Sequence, residues 1–171
     1  MSWSRRTVLL AVLGTAGCGF APVYGPGGGA EGLRGEIAVD PPVDQAGYIL
    51  VKRLEERLGL PQTPRYRLSA TLALGQDDLG VTPDQEIQRY QVTGRARWSL
   101  VDTGTDTVVV SGTQEAFTGY SAPVVDNHRG SIAGNTVSVL SAERDARRRL
   151  MVILADQIVA RLLATSADWR R

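Results

Sequence analysis

Apolar and polar residues alternate strictly through two long stretches of the chain. Tyr66, Leu68, Ala70, Leu72 and Leu74 fall on one phase, with Arg65, Arg67, Ser69 and Thr71 on the other. Tyr90, Val92, Ala96, Trp98 and Leu100 repeat the pattern against Arg89, Gln91, Thr93, Arg95, Arg97 and Ser99. A period of two over this length predicts strands of a sheet with one buried and one polar face. Asp102-Thr103-Gly104-Thr105-Asp106 supplies hairpin-turn chemistry, so Val108 to Thr118 is expected to return as the next strand. Glu36 to Val39 is a short strand candidate stopped by Pro41-Pro42. Between Leu74 and Glu86, the run Gln76 to Gly80 together with Pro83 reads as a loop, and Gly119 to Asn135 reads as irregular.

Two segments change period. Asp44 is placed to cap a helix reaching about Leu58, with Leu50, Val51, Leu54 and Leu58 as its apolar stripe. Gly59 fits the position after that helix, and Pro61 forbids its continuation. A long helix is predicted from about Thr136 to Ala164, with Ala142, Ala146, Leu150, Leu154, Ile158 and Leu162 at helical spacing. Glu143, Arg147, Arg148, Gln157 and Arg161 are assigned to its outer face. The order β-α-β-β-β-α predicts an α+β fold with two helices packed on one face of a four-stranded, mainly antiparallel sheet.

The N-terminal residues follow another logic. Arg5 and Arg6 precede a short apolar run, Thr7 to Leu13, and the small residues Gly14 to Gly17 lead to Cys18. This is the layout of a secretory signal peptide, and the run is too short for a permanent membrane span. Ser4 to Leu10 also resembles a twin-arginine export signal, so either export route is open. Cys18 is the only cysteine, which excludes an internal disulfide and leaves its thiol in need of a role. After Ala16-Gly17 it resembles the lipobox cysteine of bacterial lipoproteins, with Thr15 where such boxes usually carry leucine. The expected organisation is a signal peptide over 1–17, a lipidated Gly/Pro-rich tether over 18–32, and one domain over 33–171.

Charge and composition remove several function classes. Loss of residues 1–17 takes Arg5 and Arg6 and leaves 17 basic against 18 acidic side chains, so no net field draws the molecule to nucleic acid. Gly25-Pro26-Gly27-Gly28-Gly29 lacks the Gly-Lys-Ser/Thr of a phosphate-binding loop. One histidine, His128, stands beside Asp126 and Asn127 in the segment read as irregular; a triad needs its base fixed by packed neighbours, so a solvated histidine is expected. A zinc site would need three or four ligands, and Asp77-Asp78 alone does not make a calcium site. The reading contains no catalytic residue, no metal and no cofactor.

The arginines of the polar phases remain. Arg65 and Arg67 on one strand, with Arg89, Arg95 and Arg97 on the next, would share a face able to grip phosphates through forked contacts. The alternative is a solvated face paired with neighbouring carboxylates. The run Arg144 and Arg147-Arg148-Arg149 has partners at hand in Glu143 and Asp145 and is read as a wet helix face.

Two stretches carry a family resemblance. Cys18-Gly19-Phe20-Ala21-Pro22-Val23-Tyr24-Gly25 resembles the N-terminal signature of LptE, the lipopolysaccharide-assembly lipoprotein family, in its alphaproteobacterial form. Ser141-Ala142-Glu143-Arg144-Asp145-Ala146-Arg147 and Leu154-Ala155-Asp156-Gln157-Ile158-Val159-Ala160-Arg161-Leu162 resemble its C-terminal helix. The resemblance implies two helices on a four-stranded sheet and a non-enzymatic lipoprotein at the periplasmic side of the outer membrane. It further implies a role as plug of the β-barrel protein LptD, and contact with lipopolysaccharide through basic residues such as those of the Arg89, Arg95 and Arg97 face. Gly19, not aspartate, after the cysteine agrees with delivery to the outer membrane. An auxiliary lipoprotein of another periplasmic transport complex is the alternative.

Overall fold

The computed structural model describes residues 28, 31–81, 87–121 and 132–170. The segment expected to be a signal peptide, Cys18, most of the expected tether, and His128 with Asp126 and Asn127 lie outside the described residues. The elements are β1 (Ile37–Val39), α1 (Gln45–Leu58), β2 (Tyr66–Val81), β3 (Ile87–Asp102), β4 (Thr107–Ser121), α2 (Ile132–Ala164) and a short α3 (Ser166–Trp169). They form one sheet in the order β1-β2-β3-β4, parallel at β1–β2 and antiparallel elsewhere. The expected α+β fold and its β-α-β-β-β-α order are thus found.

Helix α1 begins where Asp44 leaves extended backbone and accepts a hydrogen bond from the Gly47 amide at 2.6 Å. Such a cap satisfies one of the amides that the first turn leaves unpaired. The helix ends at Gly59, whose φ of 81° suits a residue without Cβ and whose N–H donates to the Glu55 carbonyl. Leu50, Leu54 and Leu58 are buried, as expected, whereas Val51 is half-buried.

The even-numbered residues of β2 and β3 turn to the helices. Tyr66, Leu68, Val92, Ala96, Trp98 and Leu100 join Ala146, Leu150, Leu154, Ile158 and Leu162 of α2 in one core with the stripe of α1. Gly94 interrupts the row because α2 comes close there: a Cβ would stand 3.0 Å from Leu150 and 3.1 Å from Leu154. Arg53 of α1 grips Asp156 of α2 with two bonds of 3.0 Å, and Arg57 lies 3.6 Å from the same carboxylate. Trp169 of α3 packs edge-on to Tyr66, with centroids 5.1 Å apart.

Several expected boundaries are corrected. The segment Gln76 to Gly80 is not a loop: β2 continues to Val81, pairing Gln76 with Val92 and Asp78 with Tyr90 before an irregularity at Gly80. Here the strand outruns α1, so neither face demands apolar residues; even Leu74 is 40% exposed. Strand β4 extends past Thr118 to Ser121 because Tyr120 stacks on Tyr90 and is buried. Helix α2 starts at Ile132, four residues before Thr136. Gln157, assigned to the outer face, is half-buried with its Oε1 in the interior.

Candidate functional site: the open face of the sheet

Both helices occupy one side of the sheet, so the odd-numbered residues of β2 and β3 form an opposite face that the described residues leave uncovered. Small polar side chains dominate it. Ser69 and Ser99 share a hydroxyl hydrogen bond of 2.8 Å across the strands, and Arg97 stands between Thr71 and Thr113. Arg95 stands between Ala73 and Glu115 and is paired with Glu115 at 2.6 Å. Ala73, Gly75 and Thr93 floor a shallow depression of about 430 Å³, flanked by Arg95, Glu115 and Phe117. Gly75 leaves room for Thr93: a Cβ there would lie 2.7 Å from the Thr93 hydroxyl, which would have to shift.

All five arginines singled out from the sequence are exposed. The structure does not gather them into one cluster. Arg95 and Arg97 neighbour each other, while Arg89 lies six residues along β3, about 20 Å away at the strand rise. Arg67 reaches Asp106 at 4.0 Å. Arg65 sits at the strand end, 3.8 Å from Asp102 and 5.1 Å from the centre of the Tyr66 ring. Exposed pairs of this kind are screened and weak, typically about 0–1 kcal/mol, so they hold these arginines loosely. Among the described residues, no carboxylate is paired with Arg89 or Arg97. The chemistry of this face is that of Arg95 and Arg97 beside a small-residue floor, with Arg89 apart at the far end of β3, guanidinium donors suited to phosphate and carboxylate groups.

One feature of the face escaped sequence reasoning. Phe117 points out of the sheet in the polar phase of β4 and is 68% exposed. Its position opposite Thr93 made it readable once β4 was taken in register with β3.

A second basic surface lies on the helix side. Lys52 of α1 and Arg144 and Arg148 of α2 border a crease floored by Ile49 and Met151. Arg147 is paired with Glu143 at 2.6 Å and Arg149 with Asp145, as expected for a wet helix face. Arg149 also donates to the Gly119 carbonyl on the edge of β4. Among the described residues no group of three or more potential metal ligands occurs, and no helix is long and apolar enough to cross a membrane.

The architecture recurs in bacterial lipoproteins. A structure from Caulobacter crescentus described as a lipoprotein is 20% identical, covering 84% of this chain and 98% of that one, with a TM-score of 0.61. The rare lipoprotein B of Shewanella oneidensis is 13% identical over 80% of this chain and 98% of its own, with a TM-score of 0.52. A minor lipoprotein of Acinetobacter baumannii is 13% identical over 75% and 89%, also with a TM-score of 0.52. These likenesses define the class by fold. No curated protein sequence matches the chain. The sequence model of the lipopolysaccharide-assembly family LptE matches residues 35–162, and the chain belongs to that family. Its role is accordingly that of a non-enzymatic envelope lipoprotein in lipopolysaccharide assembly.

Proposed function

We propose that this chain is an outer-membrane lipoprotein that works with the β-barrel LptD to insert lipopolysaccharide into the outer leaflet. The family match over residues 35–162 carries this reading. Export removes residues 1–17, lipid on Cys18 anchors the chain at the periplasmic side, and residues 18–32 tether the anchor to the domain of 33–171. Each acyl CH₂ buried in the bilayer contributes about 0.8 kcal/mol, so several chains on one residue hold it firmly. The open sheet face, through Arg89, Arg95 and Arg97 with Arg65 and Arg67 at its end, meets lipopolysaccharide phosphates or an acidic stretch of the barrel wall. Affinity capture of the tagged full chain from detergent-solubilised envelopes tests the partnership. LptD is expected to copurify. Recovery of the chain with the components of another transport complex and no barrel would overturn it.

A further inference from the structure

Strand β2 has 16 residues, yet β1 pairs only with Tyr66, Arg67 and Leu68. The bonds Tyr66 N–H to Glu36 O and Asp40 N–H to Leu68 O show that even-numbered main-chain groups of β2 face the β1 side. Alternation along the strand turns the N–H and C=O of Ala70, Leu72, Leu74 and Gln76 to the same edge, while odd-numbered residues bond to β3. Among the described residues nothing pairs with that edge.

Among the described residues, nothing fills the place where β1 would continue. After Asp40 the chain leaves through Pro41 and Pro42 into α1, and a cavity of about 300 Å³ remains between α1 and the edge. Val39, Pro42, Leu50, Val51, Ala70 and Leu72 line it. Proteins usually guard long edges with lysine, proline or a bulge. Residues 69–78 contain no lysine, arginine or proline, and the register irregularity comes only after Asp78.

We propose that the β2 edge from Ala70 to Gln76 receives an extended segment of a partner polypeptide as a further strand, in the line that β1 leaves. An apolar side chain of that segment enters the cavity, and basic residues at its flanks face Asp40 at one end and Asp77 and Asp78 at the other. A row of alternating main-chain donors and acceptors about 20 Å long matches an extended chain, not a lipid headgroup. The acidic ends likewise oppose a phosphate-bearing ligand. They also disfavour a second copy, because two antiparallel β2 edges would set the Asp77-Asp78 carboxylates of each against the acidic root of the other.

A labelled heptapeptide of alternating valine and threonine, with an arginine at each end, is the probe, read by fluorescence anisotropy with the full chain in detergent. Leu72→Pro removes an edge N–H and Val51→Phe fills the cavity. Each is expected to weaken binding at least tenfold. Thr113→Pro, on the outward edge of β4, is expected to leave binding unchanged. Should Leu72→Pro not fold, amide shifts of Leu72 and Leu74 in the wild-type chain on adding peptide carry the same test. No binding, binding indifferent to the first two substitutions, or self-association of the wild type through this edge overturns the proposal. Copurification of a barrel does not depend on the outcome.

Discussion

Trp98 of β3 covers Gly112 of β4, its cross-strand partner: a Cβ added to Gly112 would lie 2.8 Å from Trp98 Cζ2 and 3.0 Å from Cε2. The glycine provides the floor on which a large aromatic ring reaches the core without parting the strands. Trp98 is 3% exposed, and the alternation around it had placed it inward.

Stability follows from that contact. Trp98→Ala removes a large buried side chain and is expected to cost about 3–5 kcal/mol. Gly112→Val forces the indole aside and is expected to cost about 1–3 kcal/mol. Urea unfolding of the purified domain measures both. Losses under about 0.5 kcal/mol in each would mean that the ring does not lie between β4 and the helices.

Tyr120 gives a pH signature. Burial first, and the Glu143 carboxylate next, hold its phenol above the ordinary tyrosine range. The unfolded chain therefore ionises first: the group's contribution is complete below about pH 10, the unfolded value, and is lost as pH rises through the folded one. The decline in stability above pH 10 should be shallower in Tyr120→Phe than in the wild type. An identical alkaline slope would contradict the shift.

Cys18 should be acylated in protein extracted from membranes. Mass spectrometry is expected to find residues 1–17 absent and the cysteine lipidated, with Cys18→Ala folded but weakly localised. An unmodified thiol at Cys18 would remove the anchor from the account.

Periodicity made the centre of the fold legible, since α1 and the inner halves of β2 and β3 are each forced by one buried face. Leu50, Leu68, Trp98 and Leu154 needed no partner to be recognised as core. Legibility failed where elements outrun their cover. The polar run Gln76 to Gly80 carries no core face, so its strand was hidden, and the stretch from Gly119 reads as irregular although β4 passes through Gly119 to bury Tyr120. The open face was half legible. Its arginines were placed on the polar side by phase, but the pairing of Arg95 with Glu115 and of Arg67 with Asp106 depends on register, which no single strand encodes. The edge of β2 that no described residue pairs with was invisible for the same reason: it arises because β1 stops at Val39.

Lipopolysaccharide binding by the purified full chain tests the central claim most directly. Arg89→Gln, Arg95→Gln and Arg97→Gln together are expected to lower affinity more than tenfold without unfolding the domain, and wild-type binding should weaken as salt screens these exposed charges. The matching triple change at Arg147, Arg148 and Arg149 is expected to matter less: Glu143 and Asp145 engage two of its members and the Gly119 carbonyl holds Arg149 as well, whereas in the strand triple only Arg95 has a carboxylate partner among the described residues. If the helix triple abolishes binding while the strand triple retains it, the open sheet face is not the surface that meets lipopolysaccharide.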